Sequence, residues 1–163
     1  VNPYMGRDSL DPFLSREEAS VFVLCRTSNP GAADVQDLEL DSGEHVYERV
    51  ASLADLWNGN DNVGLVVGAT SPDELEELRE QVPDLPFLVP GVGAQGGDVE
   101  AAATHATAGG AGLVNSSRGI IFAGEETEAR TTAGDRAAAD DEQYFRAAGQ
   151  AAKRLKQQLN QYR

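Results

Sequence analysis

At 163 residues the chain is long enough for one compact domain with a sizeable core. Its 27 acidic and 13 basic residues give a formal charge of −14. That balance argues against nucleic acid or an anionic membrane as partner, since affinity there comes from Lys and Arg neutralising phosphates. A single Cys25 excludes an internal disulfide framework, no apolar run approaches the ~20 residues of a spanning helix, and no secretory signal is evident, so a soluble cytoplasmic protein is expected. Acid spread along the whole chain points further to adaptation to high salt, where screening removes self-repulsion.

Val1-Asn-Pro-Tyr reads as the end of a strand, which suggests that something upstream has been removed. Four segments then share one plan, an apolar run, a small-residue turn and a helical pattern. They are SVFVLCRTSNPGA from Ser20, NVGLVVGATSPDELEELRE from Asn62, LPFLVPGVGAQGGDVEAAA from Leu85 and GAGLVNSSRGIIFAG from Gly110. Runs this short and purely apolar predict parallel strands covered on both faces. HVYERVASLADLW predicts a helix with Val46, Val50, Leu53 and Trp57 on its buried side. Ser71 is the expected N-cap of the next helix, with Pro72 in its first turn, and Asp98 the expected cap of the one after the glycine loop. The segment 124–141 reads as a solvated loop. Residues 140–162 read as a closing helix with Phe145, Ala148, Ala152, Leu155 and Leu159 on one face.

Repeating strand–helix units predict a parallel α/β fold, and polar loops after every strand favour a TIM (β/α)8 barrel, whose site gathers at that rim. Four strands and a stub are too few to close one, so the expectation is a single domain over 1–163 forming the C-terminal part, roughly strands 4–8.

Within PGVGAQGGD, Gly91, Gly93 and Gly96 spell G-x-G-x-x-G. A dinucleotide site would also need an acidic residue at the end of the following strand, where Asn115, Ser116, Ser117 and Arg118 stand instead. The alternative is phosphate capture by the last two loops of a barrel. Glycines there let backbone approach an anion, and Arg118 can make paired, charge-assisted hydrogen bonds to it.

Taken together, TSNPGA, GLVVGAT, PGVGAQGGD and NSSRGI, in this order and spacing, resemble orotidine 5′-phosphate decarboxylase, in the branch that carries VNPY-G-DS; the likeness runs from Val1 to about Ala123. The resemblance implies a cofactor-free barrel that converts orotidine 5′-phosphate to uridine 5′-phosphate and carbon dioxide, and that dimerises when complete. It implies that Ser28 hydrogen-bonds the pyrimidine edge, Gln95 bridges phosphate and base, Arg118 holds the phosphate with backbone donors around Ser117, and Pro90 and Val92 are apolar lid positions near the base. One departure is large. The D-x-K-x-x-D signature, whose lysine protonates C6 while an aspartate crowds the departing carboxylate, does not occur, and the only lysines are Lys153 and Lys156 in the terminal helix. Catalytic residues are therefore expected before Val1. Two other readings stay open, a different phosphate-binding β/α-barrel enzyme and a non-catalytic nucleotide-phosphate binding fragment.

His45, His105 and Cys25 lack metal-ligand spacing and read as structural, Trp57 as core, and Asn115 as a residue that orders the last loop. Asn2 and Asp8 are given no role.

Overall fold

The computed structural model describes residues 1–93, 96–107, 112–124 and 141–162. Strands β1 (Val21–Arg26), β2 (Val63–Val67), β3 (Phe87–Pro90) and β4 (Leu113–Asn115) form one sheet in that order, every neighbouring pair parallel. The helices are α1 (Asp11–Leu14), α2 (Val46–Trp57), α3 (Pro72–Gln81), α4 (Val99–Thr107), α5 (Ser117–Ile121) and α6 (Asp141–Leu159). This is the α/β repeat the sequence predicts, with all four apolar runs found as strands.

One face of the sheet makes the core. Val21, Val23, Cys25, Val63, Leu65, Val67, Phe87 and Val89 are buried there, among Tyr47, Ala51 and Ala54 of α2, Leu75 and Leu78 of α3, and Ala102 and Ala106 of α4. Each large apolar side chain so removed from water contributes about 1.5–3 kcal/mol. The expectation of cover on both faces is not met among the described residues. Strand register aligns Leu24, Val66, Leu88 and Leu113 in one row across the opposite face, where Leu24 is 37% and Leu113 56% exposed.

Val1 lies along the outer edge of β1. Its amino group donates to the Phe22 carbonyl at 2.7 Å, and its own carbonyl accepts from Leu24 N–H at 2.9 Å, the spacing of a parallel ladder. The strand reading of the first residues holds for Val1 alone. Asn2 Oδ1 accepts from Tyr4 N–H at 2.9 Å and starts a 3₁₀ turn, Pro3–Met5.

Side-chain details refine the helices. In α2 the buried positions are Tyr47, Ala51, Ala54 and Trp57, while Val50 and Leu53 flank them. Ser71 occupies the N-cap of α3 without a side-chain bond, and Asp98 Oδ1 caps α4 by accepting from Ala101 N–H at 3.0 Å. In α6, Ala151 and Leu155 pack inward, but Phe145 is 71% exposed. Tyr144, about 100° away on the helix, sits against Gly124 and turns Phe145 outward. Residues 125–140, most of the expected solvated loop, lie outside the described residues.

Arg79 ties α3 to the core floor. Its guanidinium donates to the carbonyls of His105 (2.8 Å), Pro83 (2.9 Å) and Leu85 (2.9 Å) and lies 3.7 Å from the Phe87 ring centre. Burial lowers its pKa, yet these acceptors satisfy the charge with partial negative oxygens.

Candidate functional site at the carboxyl ends of the strands

Parallel strands deliver their carboxyl ends to one rim, so the four following loops meet there. The first is Thr27-Ser28-Asn29, leading into a 3₁₀ turn, Pro30–Asp34. Ser28 rests on the end of β2. A Cβ on Gly68 would lie 3.0 Å from the Ser28 nitrogen and 3.1 Å from its Cβ, so glycine is what lets the loop settle so low. Gly68 N–H donates to the Arg26 carbonyl at 2.9 Å, and Ala69 N–H to the Pro90 carbonyl at 3.0 Å, carrying the ladder into the loops.

The third loop explains its glycine spacing. Gly91, Gly93 and Gly96 have φ of +95°, +87° and +76°, left-handed conformations that cost an L side chain roughly 1–2 kcal/mol each. The turn closes on itself, with Gly96 N–H donating to the Gly93 carbonyl at 2.8 Å and Gly97 N–H to that of Gly91 at 3.2 Å. Buried Ser116 Oγ donates to the Val92 carbonyl at 2.7 Å and locks this loop to the fourth. Gln95 lies outside the described residues.

A cavity of about 390 Å³ opens at this rim. Ser28 from the first loop, Pro90 from the end of β3 and Arg118 from the start of α5 line it together with Thr27, Asn29 and Pro30; Leu24 and Val66 reach it from the open face of the sheet. An adjoining recess of about 70 Å³ is bounded by Pro90, Val92, Ser117 and Arg118, among others. Five of the six expected binding residues thus share two adjoining spaces. Val92 differs in kind from the rest, because its side chain is 1% exposed and belongs to the core. Arg118 is exposed and its guanidinium has no hydrogen bond or ion pair among the described residues. Ser117 Oγ lies 3.3 Å from Asn115 Nδ2, which orders the turn as expected for Asn115.

Sequence reasoning missed Leu24, Val66, Thr27, Asn29 and Pro30 as lining residues of the larger cavity and Ser116 as a clasp. The strand residues carried no signal, because both faces of these strands are apolar. Ser116 and Ser117 stand side by side in NSSRG, and nothing in that motif tells which one turns inward.

The set-aside residues are structural. Cys25 donates to the Tyr47 carbonyl at 3.2 Å, and burial pushes its thiol up to about 12, far from a nucleophile's range. His45 precedes α2, where Glu48 Oε2 accepts from its N–H at 2.5 Å and lies 3.1 Å from its Nδ1, and its ring stacks on Tyr47. No three His, Cys, Asp or Glu side chains gather as metal ligands among the described residues.

A parallel β/α sheet with a cavity at its carboxyl rim, lined by an arginine without a partner among the described residues, places the chain in the β/α class. Comparison with known proteins narrows this. The sequence profile of the orotidine 5′-phosphate decarboxylase / HUMPS family matches residues 1–132, and the chain belongs to that family. It is 69% identical to the orotidine 5′-phosphate decarboxylases of Haloarcula marismortui and Halorubrum lacusprofundi, over all of its own length and 57% and 58% of theirs. Among solved structures it is similar to Leishmania donovani OMP decarboxylase, with 39% identity and a TM-score of 0.70 over 97% of this chain and 55% of that one. The chain therefore spans a little over half the length of the curated relatives it matches.

Proposed function

We propose that this chain is the substrate-gripping, C-terminal part of an orotidine 5′-phosphate decarboxylase, roughly strands 4–8 of a (β/α)8 barrel and one domain over 1–163. The observation that carries the reading is the rim cavity, where Ser28, the end of β3 at Pro90 and the start of α5 at Arg118 converge, Arg118 having no partner among the described residues. In a chain of charge −14, an exposed guanidinium with no carboxylate on it among the described residues is suited to an external anion. Arg118 takes the phosphate with Ser117, Ser28 bonds the pyrimidine edge, and Gln95 bridges the two. Pro90 flanks the base, and Val92 holds the glycine turn in place from the core.

The chemistry is shared with residues outside this chain. The bond from C6 to the carboxylate breaks, carbon dioxide leaves, and a lysine proton quenches the electron pair left on C6. The chain's own lysines, Lys153 and Lys156, belong to α6 and the expected Asp–Lys network is absent, so this part supplies binding and closure. Binding energy at the remote phosphate lowers the barrier when those contacts tighten in the transition state. A sheet whose one apolar face and edges are uncovered among the described residues fits part of a barrel interior, and Val1 marks where a further parallel strand would pair. The same reading carries a homodimer, a cytoplasmic location and adaptation to high salt, the last supported by the charge and by the halophilic relatives.

Steady-state kinetics of Arg118→Ala in the full-length protein tests this. The expected loss in kcat/KM is about a hundredfold or more. A loss under about tenfold contradicts the assignment.

A further inference from the structure

Ser28 sits at the cavity, but its backbone is held by groups that never reach it. Gln36, half-buried nine residues beyond Thr27, clasps that residue at two points. Its Oε1 accepts from Thr27 N–H at 2.9 Å, and its Nε2 donates to Thr27 Oγ1 at 2.9 Å. Thr27 Oγ1 in turn donates to Asn29 Oδ1 at 2.7 Å. The two residues on either side of Ser28 are thereby fixed by one amide.

The amide's own orientation is set by charge. Arg26 NH1 donates to Gln36 Oε1 at 3.3 Å and pairs with Asp37 Oδ1 at 3.0 Å. The same guanidinium is gripped from α3 by Glu74, whose two oxygens lie 2.5 Å from Nε and 3.0 Å from NH2. The positive head therefore faces the amide oxygen and leaves the NH2 for the threonine hydroxyl. Backbone bonds pin Gln36 as well. Its N–H donates to the Ala32 carbonyl at 2.8 Å, and its carbonyl accepts from Tyr47 N–H at 3.2 Å.

We propose that Gln36 is a specificity-positioning residue, which sets the height of the 27–29 loop over Gly68 and so aims Ser28 at the base of a bound pyrimidine nucleotide. This rests on the reading of Ser28 as the base contact given above. Gln36 acts through Thr27 and Asn29 and touches no substrate. Its loss therefore weakens recognition of the base and leaves that of the phosphate alone, since Arg118 stands on a separate element, α5.

Calorimetry on the full-length protein with uridine 5′-phosphate and with ribose 5-phosphate separates the two. The quantity read is the ratio of the two affinities. Ser28→Ala is expected to lower that ratio about tenfold, the scale of one lost hydrogen bond. Gln36→Leu is expected to lower it by a similar factor, with ribose 5-phosphate affinity held within about twofold, and the double variant to fall no further than either single one. If Gln36→Leu gives no cooperative melting transition, Gln36→Glu carries the test. That change keeps the shape but reverses the hydrogen bond to Thr27, and it is expected to lower the ratio about threefold with the fold intact. An unchanged ratio in the folded Gln36 variants, or equal weakening of both ligands, overturns the proposal while Ser28→Ala still lowers the ratio. An unchanged ratio in Ser28→Ala overturns the base contact itself, and the proposal with it.

Discussion

The two faces of the sheet are built from the same kinds of residue and have opposite fates. On one, Val23, Leu65 and Val89 are wholly buried beneath α2, α3 and α4. On the other, the row Leu24, Val66, Leu88 and Leu113 lies open among the described residues, and its Leu24 and Val66 reach the cavity that Ser28 and Arg118 share. The covered face supplies the energy of folding. The open face supplies shape and apolar surface to the site. A parallel sheet bare on one side is rare, because crossover helices normally cover both faces or the sheet closes into a barrel. The row is therefore the surface that a closed barrel would take inside.

The contrast can be broken most strongly at its centre. Phe87→Ala or Leu65→Ala should cost about 3–5 kcal/mol of stability by urea unfolding, whereas Leu113→Ser, on the open face, should cost under about 0.5 kcal/mol in the isolated chain. Equal costs would mean that the open row is already packed in solution. A smaller effect comes from Cys25. Its folded pKa, raised to about 12 by burial, lies above the unfolded value, so its stabilising contribution is whole below about pH 9. As pH rises towards 12 the unfolded chain ionises first and stability falls, by up to about 1.4 kcal/mol per unit. Melting curves of wild type and Cys25→Ala across that range should diverge with this slope; parallel curves would show the thiol to be accessible.

Much of this was legible in the sequence for a physical reason. Short unbroken apolar runs such as VGLVV, each closed by a turn, favour strands, and the turn chemistry after each placed Ser28, Pro90, Ser117 and Arg118 at one rim. Which face of each strand would be covered was not legible. Period-two alternation vanishes when both faces are apolar, so Leu24 and Val66 looked like Val23 and Leu65. The resemblance made Val92 an apolar lid position near the base, yet the left-handed glycines on either side of it, Gly91 and Gly93, fold its side chain under the loop. Gln36 was invisible because its contacts run back across a 3₁₀ turn to Thr27, a pairing no local pattern announces.

The site itself is tested most directly by a crystal structure of the full-length protein with uridine 5′-phosphate. The account predicts the nucleotide in the rim cavity, its phosphate within about 3 Å of the Arg118 guanidinium and its base edge against Ser28. A nucleotide bound elsewhere, or held there with Arg118 turned to solvent, would contradict it.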